Sequence, residues 1–183
     1  MNNSSELCEI LNKYQNTFSN KIHHNKKTND DVLMRTFNIS SELKKSNSQY
    51  YSRELGMIWQ RLITSTFSKY CSQFYSPALR IQKNEPCDLI YKQYAIDTKY
   101  RIGSGDSGTL KKFKEYGNLL TQYNYVPLLL ILRTDNLHNA IKSCEKGNWK
   151  ILTGTKAFDF IYSCTGFNLY EFLDSTENQF HIN

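Results

Sequence analysis

The run Val126-Pro127-Leu128-Leu129-Leu130-Ile131-Leu132 constrains this chain more than any other stretch. It is far shorter than the roughly 20 residues that a bilayer-spanning helix takes, and it has the length of one buried strand. Neighbouring side chains of a strand point to opposite faces, so a strand that is apolar throughout needs cover on both. A sheet covered on both faces predicts an α/β fold, with a mixed central sheet flanked by helices.

The flanking pattern agrees. Leu55, Ile58, Trp59, Leu62, Ile63 and Phe67 recur at three- and four-residue steps, the spacing of an amphipathic helix, which Pro77 is expected to close. Strands are predicted at Leu79–Ile81, Cys87–Tyr91, Tyr94–Tyr100 and Trp149–Leu152, and helices at Thr109–Leu120, Asn136–Cys144, Ala157–Ser163 and Leu169–Leu173. Asp135-Asn136-Leu137 reads as the cap of the helix it precedes. The order is helix, three strands, helix, strand, helix, strand, with a hairpin feeding a later parallel crossover.

Residues 1–48 are richer in Asn, Ser and Lys and read as an N-terminal helical arm on a catalytic domain of residues 49–183. Leu7, Ile10, Leu11 and Tyr14 have helical spacing, as do Val32, Leu33, Thr36 and Phe37 after the capping run Thr28-Asn29-Asp30-Asp31.

With 183 residues, 39% of them hydrophobic and 22% charged, the chain has room for one sizeable core. The first residues lack a basic stretch followed by an apolar one, so no signal peptide and no membrane partner are expected, and a cytoplasmic location follows by default. Cys8, Cys71, Cys87, Cys144 and Cys164 are too far apart for a paired-cysteine zinc site and read as reduced, mostly buried thiols. Adjacent His23 and His24 point apart and do not suggest a metal site. A net charge of +6 and a pI near 9.0 favour an anionic partner.

The chemistry is concentrated in Glu85-Pro86-Cys87-Asp88-Leu89-Ile90-Tyr91-Lys92-Gln93-Tyr94-Ala95-Ile96-Asp97-Thr98-Lys99. If Lys92-Gln93 is a hairpin tip, Tyr91 pairs with Tyr94 and Asp88 falls across from Asp97; a bulge would shift this by one. Asp97 and Lys99 are two apart and share a face, which Asp88 then joins. Two close carboxylates repel unless a cation lies between them, and Mg²⁺ typically takes one or two carboxylates and fills its shell with water and phosphate oxygens. An ordinary cross-strand ion pair is the plain alternative. Against it, the apolar flanks predict a largely covered hairpin, where unpaired carboxylates are costly.

Pro86-Cys87-Asp88, eight intervening residues and then Asp97-Thr98-Lys99, set among those elements, resemble the PD-(D/E)XK nuclease superfamily, and most of all a type II restriction endonuclease. The resemblance covers about residues 50 to 152. It implies a restriction-endonuclease-like fold, with Mg²⁺ on Asp88 and Asp97 and Lys99 as the catalytic amine. Cys87 between the proline and the aspartate departs from the pattern, and Glu85 is the alternative acidic position. Glu54 would be the acidic residue that many members add from the preceding helix; it also reads as a surface glutamate beside Arg53 and Arg61, and Gln60 is a weaker candidate.

Arg101, Ser104, Lys111, Lys112 and Lys114, around the glycine-rich segment Gly103–Gly108, are the expected DNA-phosphate contacts. The leading expectation is cleavage of double-stranded DNA at a specific, palindromic sequence, without an organic cofactor, by a homodimer to which Leu7, Ile10, Leu11, Val32, Leu33 and Phe37 contribute surface. The alternatives are a repair or junction-resolving nuclease of the same superfamily and a non-catalytic DNA-binding subunit.

Overall fold

A computed structural model describes residues 5–19, 30–71, 75–81, 83–103, 105–177 and 179–180. Among these, five strands form one mixed sheet in chain order: β1 (Tyr75–Pro77), β2 (Leu89–Tyr91), β3 (Tyr94–Lys99), β4 (Val126–Ile131) and β5 (Lys150–Thr153). β1, β2 and β3 pair antiparallel, whereas β3, β4 and β5 run parallel. The β2–β3 turn is the two-residue Lys92-Gln93 tip, with Lys92 at φ 51° and Tyr91 opposite Tyr94.

The helices are α1 (Ser5–Ser19), α2 (Val32–Thr36), α3 (Ser41–Ser46), α4 (Ser48–Tyr70), α5 (Ser107–Gln122), α6 (His138–Glu145), α7 (Thr155–Thr165) and α8 (Leu169–Ser175). They cover both faces of the sheet, as the apolar run requires. Leu128 and Leu130 join one apolar cluster with Leu55, Ile58, Trp59 and Leu62 of α4 and Ile161 of α7. Leu129 and Ile131 join a second with Leu120 of α5 and Ala140 and Cys144 of α6. Trp59 fastens α4 to the sheet by donating its indole N–H to the Leu130 carbonyl at 3.0 Å, and its ring meets Phe158 edge-on at 5.2 Å. Burying a leucine contributes about 2 kcal/mol, so β4, with Leu129 and Leu130 fully covered, anchors both layers.

On the second face α5 and α6 meet through a close backbone approach. A Cβ at Gly117 would lie 1.8 Å from the Gly147 carbonyl and 2.5 Å from the Trp149 indole nitrogen. Gly117→Ala is therefore expected to destabilise the chain by about 3 kcal/mol, the upper range for overpacking. Denaturant unfolding checks this: the midpoint should fall with an unchanged slope, and an unchanged midpoint would refute the packing argument.

Several expectations are corrected. α4 ends at Tyr70, where the Cys71 N–H donates to the Phe67 carbonyl, and Pro77 lies in β1 rather than closing the helix. The segment Leu79–Ile81 contributes only an isolated bridge from Ile81 to Asn84. Asp135 and Asn136 do not cap α6. Asp135 holds Arg133 and Arg101, and Asn136 accepts the Ile102 N–H at 2.7 Å. Only Cys87 and Cys144 are buried; Cys8, Cys71 and Cys164 are partly exposed. Asp31 does cap α2, accepting the Met34 N–H at 3.1 Å.

Leu7, Leu11, Val32, Leu33 and Phe37 are buried in the same cluster as Leu128 and Leu130, with Ile10 packed against it. The five buried side chains line the chain's own core and are not free to meet a second copy, whereas Ile10 is half-buried. Among the described residues no helix is long and apolar enough to cross a membrane.

Candidate functional site

The sheet positions the acidic cluster through strand alternation. Tyr94 and Ile96 of β3 turn toward α4, whereas Ala95 belongs to the α5–α6 cluster. Asp97 and Lys99 share the Ala95 side. The hairpin keeps the expected register as far as Leu89 opposite Ile96. There the regular ladder ends, and the Asp88 N–H donates to the Ile96 carbonyl at 2.8 Å. Asp88 therefore lies just ahead of β2, where the hairpin opens.

That opening lets the Asp88 carboxylate span two elements. Its Oδ2 accepts from the Thr98 N–H at 2.7 Å and the Thr98 hydroxyl at 2.6 Å, while Oδ1 accepts from the Gln60 amide on α4 at 2.6 Å. Lys99 Nζ stands 2.6 Å from Asp97 Oδ2 and donates to the Thr98 carbonyl at 3.2 Å. The Asp88 charge also acts on Asp97 and raises its pKa, so the two carboxylates are neighbours. Asp88, Asp97 and Lys99 thus converge, as their spacing predicts.

The electrostatics are those of crowded acids in a half-closed setting. Burial pushes the Asp97 carboxyl up to about 6; Lys99 opposes the rise and Asp88 adds to it. Burial works to lower the Lys99 ammonium, but Asp97 and Asp88 outweigh it and the net shift is upward. Burial, with help from Asp97, also raises Cys87 to about 11 and Cys144 to about 12, so both thiols stay protonated at neutral pH. Neither is a ready thiolate ligand or nucleophile.

Among the described residues, no three His, Cys, Asp or Glu side chains group closely enough to hold a metal by themselves. The donor set at the cluster is two carboxylates, with the Thr98 carbonyl facing the same ammonium. That set fits Mg²⁺, which keeps several waters and seldom uses an all-protein cage. It does not fit a structural zinc site, which wants four nitrogen or sulfur ligands.

The remaining candidates divide. Glu54 is 7% exposed and is held by Arg53 at 2.9 Å, with Tyr14 and Tyr50 feeling its charge. Its ion-pair partner is Arg53, and Gln60, six residues on, is the α4 side chain that reaches Asp88. Glu85 pairs with Arg80 at 2.6 Å and leaves the acidic position to Asp88. Arg101 is anchored by Asp135, at 2.8 Å to its carbonyl and 3.1 Å to its carboxylate. Lys111, Lys112 and Lys114 are exposed on α5, where Lys111 pairs with Glu115 at 3.6 Å and Lys112 lies over the Tyr116 ring at 5.2 Å. Ser104, His23 and His24 lie outside the described residues.

Thr98 and Gln60 are the residues that sequence reasoning undervalued. Neither carries a charge to mark it. A wide cavity of about 630 Å³ opens beside Gln60 and Asp88, lined also by Met57, Arg61 and Thr64. Compared with known proteins, the sequence matches no family model, and neither a curated protein nor a solved structure is similar to it.

Proposed function

We propose that this chain is a Mg²⁺-dependent endonuclease of the PD-(D/E)XK type that hydrolyses phosphodiester bonds of double-stranded DNA, acting as a type II restriction enzyme at a specific, palindromic sequence. The observation that carries the reading is the convergence of Asp88, Asp97 and Lys99 where the hairpin opens. The helix–strand order, the mixed sheet and the positive net charge are consistent with a restriction-endonuclease-like fold on DNA.

Asp88 and Asp97 would hold the ion. When bound, Mg²⁺ supplies Lewis-acid stabilisation of phosphate charge and acidifies water. Asp88 is fixed for that task by Thr98 and Gln60, so little reorganisation accompanies loading. Lys99 places a cation where negative charge builds on the phosphate as water attacks phosphorus. One P–O ester bond breaks, and the leaving oxygen takes up a proton.

Gln60→Ala should lower cleavage by about tenfold, the lower end for losing a partner that orients a metal ligand. Glu54→Ala should act on thermal stability more than on rate. Parallel cleavage and melting assays decide; a Glu54→Ala loss exceeding that of Gln60→Ala would return Glu54 to the site.

One such centre cuts one strand, so a double-strand cut calls for a two-fold dimer. Incubation with phage DNA and Mg²⁺ should give discrete bands, and sedimentation on DNA should show the dimer. A smear would remove the sequence-specific part of the reading, and preference for branched DNA would favour a junction-resolving role.

A further inference from the structure

We propose that a basic pocket between α3, the start of α4 and the segments following β3 and β4 seats a backbone phosphate of duplex DNA, a contact beyond the cleavage centre; this rests on the nuclease reading. The pocket has a volume of about 360 Å³, and Lys44, Lys45, Arg101 and Arg133 line it with Ser48 and Ser52. Asp135 is the only acid among its lining residues.

The carboxylates nearby are already engaged. Asp31 holds Arg133 at 3.0 Å, and Asp135 holds Arg133 at 2.6 Å and Arg101 at 3.1 Å. Among the described residues neither Lys44 nor Lys45 has a carboxylate within ion-pair distance. Lys44 instead donates to the Tyr100 hydroxyl at 2.6 Å, and Tyr100 in turn donates to Asp31. This holds the ammonium in place without a direct carboxylate partner. Burial pushes Lys44 down to about 8, with Arg133 and Arg101 adding to the fall and Asp31 and Asp135 resisting it. An arriving anion would relieve that crowding.

Two further features point to a backbone phosphate. Ser48 and Ser52, in the first turns of the 23-residue helix α4, line the pocket, so the positive end of that helix lies beside it, with its Tyr50 N–H capped by Asn47. No aromatic ring is among the lining residues, so a base has nothing to stack on, as a site for a free nucleotide would usually provide. Arg101 lies two residues beyond Lys99, so the pocket and the cleavage centre are carried by one stretch of chain.

The test is fluorescence anisotropy of a labelled duplex across a salt series in EDTA, where no cleavage occurs. Lys44→Ala/Lys45→Ala should weaken binding about tenfold and reduce the log–log salt slope by about 1. Lys45→Glu, at an exposed position whose change cannot harm the core, should weaken it at least as much. Lys150→Ala/Lys156→Ala removes the same charge from exposed positions elsewhere and should cost less than threefold. Equal losses in the two double variants would overturn the proposal, because net charge alone would then explain them. Inorganic phosphate or a mononucleotide binding as tightly as the duplex would overturn it in favour of a small ligand. Cleavage in Mg²⁺ is read separately. A chain that cuts DNA but binds it unchanged in the lysine variants loses this pocket alone, and one that binds through the pocket but never cuts loses the nuclease reading.

Discussion

Lys99→Ala is expected to lower the rate of DNA cleavage by about 10³-fold, the upper range for losing one stabilising donor at a reacting centre. Lys99 Nζ lies 2.6 Å from Asp97 and is the cation paired with the acidic cluster. The side chain is 35% exposed, so its removal leaves no large void and the fold should persist. Metal binding should respond differently. Lys99 opposes the rise of the Asp97 pKa, so without it Asp97 holds its proton more tightly. Mg²⁺ binding by Lys99→Ala should therefore be impaired near pH 6 and close to normal at pH 8. Single-turnover cleavage and titration calorimetry at both pH values test this. A variant that cuts within threefold of the parent would remove Lys99 from the mechanism.

The second large effect is the acid limb of the pH profile. A carboxylate must be ionised to hold a metal, and Asp97 titrates at about 6 in the metal-free chain. Well below that pH the ionised fraction falls tenfold per unit, so cleavage at limiting Mg²⁺ should drop about 50-fold between pH 6 and pH 4. Mg²⁺ competes with the proton, so raising its concentration should move the midpoint to lower pH. A midpoint indifferent to Mg²⁺ would mean that another group titrates. Stability follows its own course. Asp97 is raised above its ordinary value of 3.8, so the folded chain holds this proton more tightly than the unfolded one. Ionising Asp97 thus costs folding free energy as pH rises from about 4 to about 6, the opposite of a carboxylate whose pKa folding depresses. Lys99 offsets this. Its raised pKa contributes stability that is fully present below 10.5 and is lost as pH climbs through its folded value.

The parts of this architecture that were legible in the sequence are those where side-chain period and burial coincide. The apolar run around Leu129 required cover on both faces, and the Leu55–Phe67 spacing required a helix against one of them. Tyr91 opposite Tyr94 followed from a two-residue tip. The spacing of Asp97 and Lys99 then gave them one face. What stayed hidden depends on tertiary contact. Asp88 could be placed by register only until the ladder opened at Leu89, and the hydroxyl and amide that orient it come from Thr98 and Gln60. Glu54 had the right charge and the right helix, yet Arg53 claims it. Asp135 and Asn136 looked like the entry to a helix, but the ion pair of Asp135 with Arg101 and the hydrogen bond from Ile102 to Asn136 decide their roles. The N-terminal apolar residues had a clear helical period, which says that a face is buried but not against what; here it is the chain's own core.

If Asp97 and its partners hold a metal ion with which the chain cuts DNA, the effect will be visible on supercoiled plasmid. The parent chain should convert plasmid to nicked and linear forms in Mg²⁺ and leave it intact in EDTA. Ca²⁺ should allow binding without cutting. Asp97→Ala, confirmed folded by circular dichroism, should leave the plasmid intact in Mg²⁺ and show no heat of Mg²⁺ binding. Cleavage that survives in EDTA, or that proceeds at the parent rate in Asp97→Ala, would contradict the account.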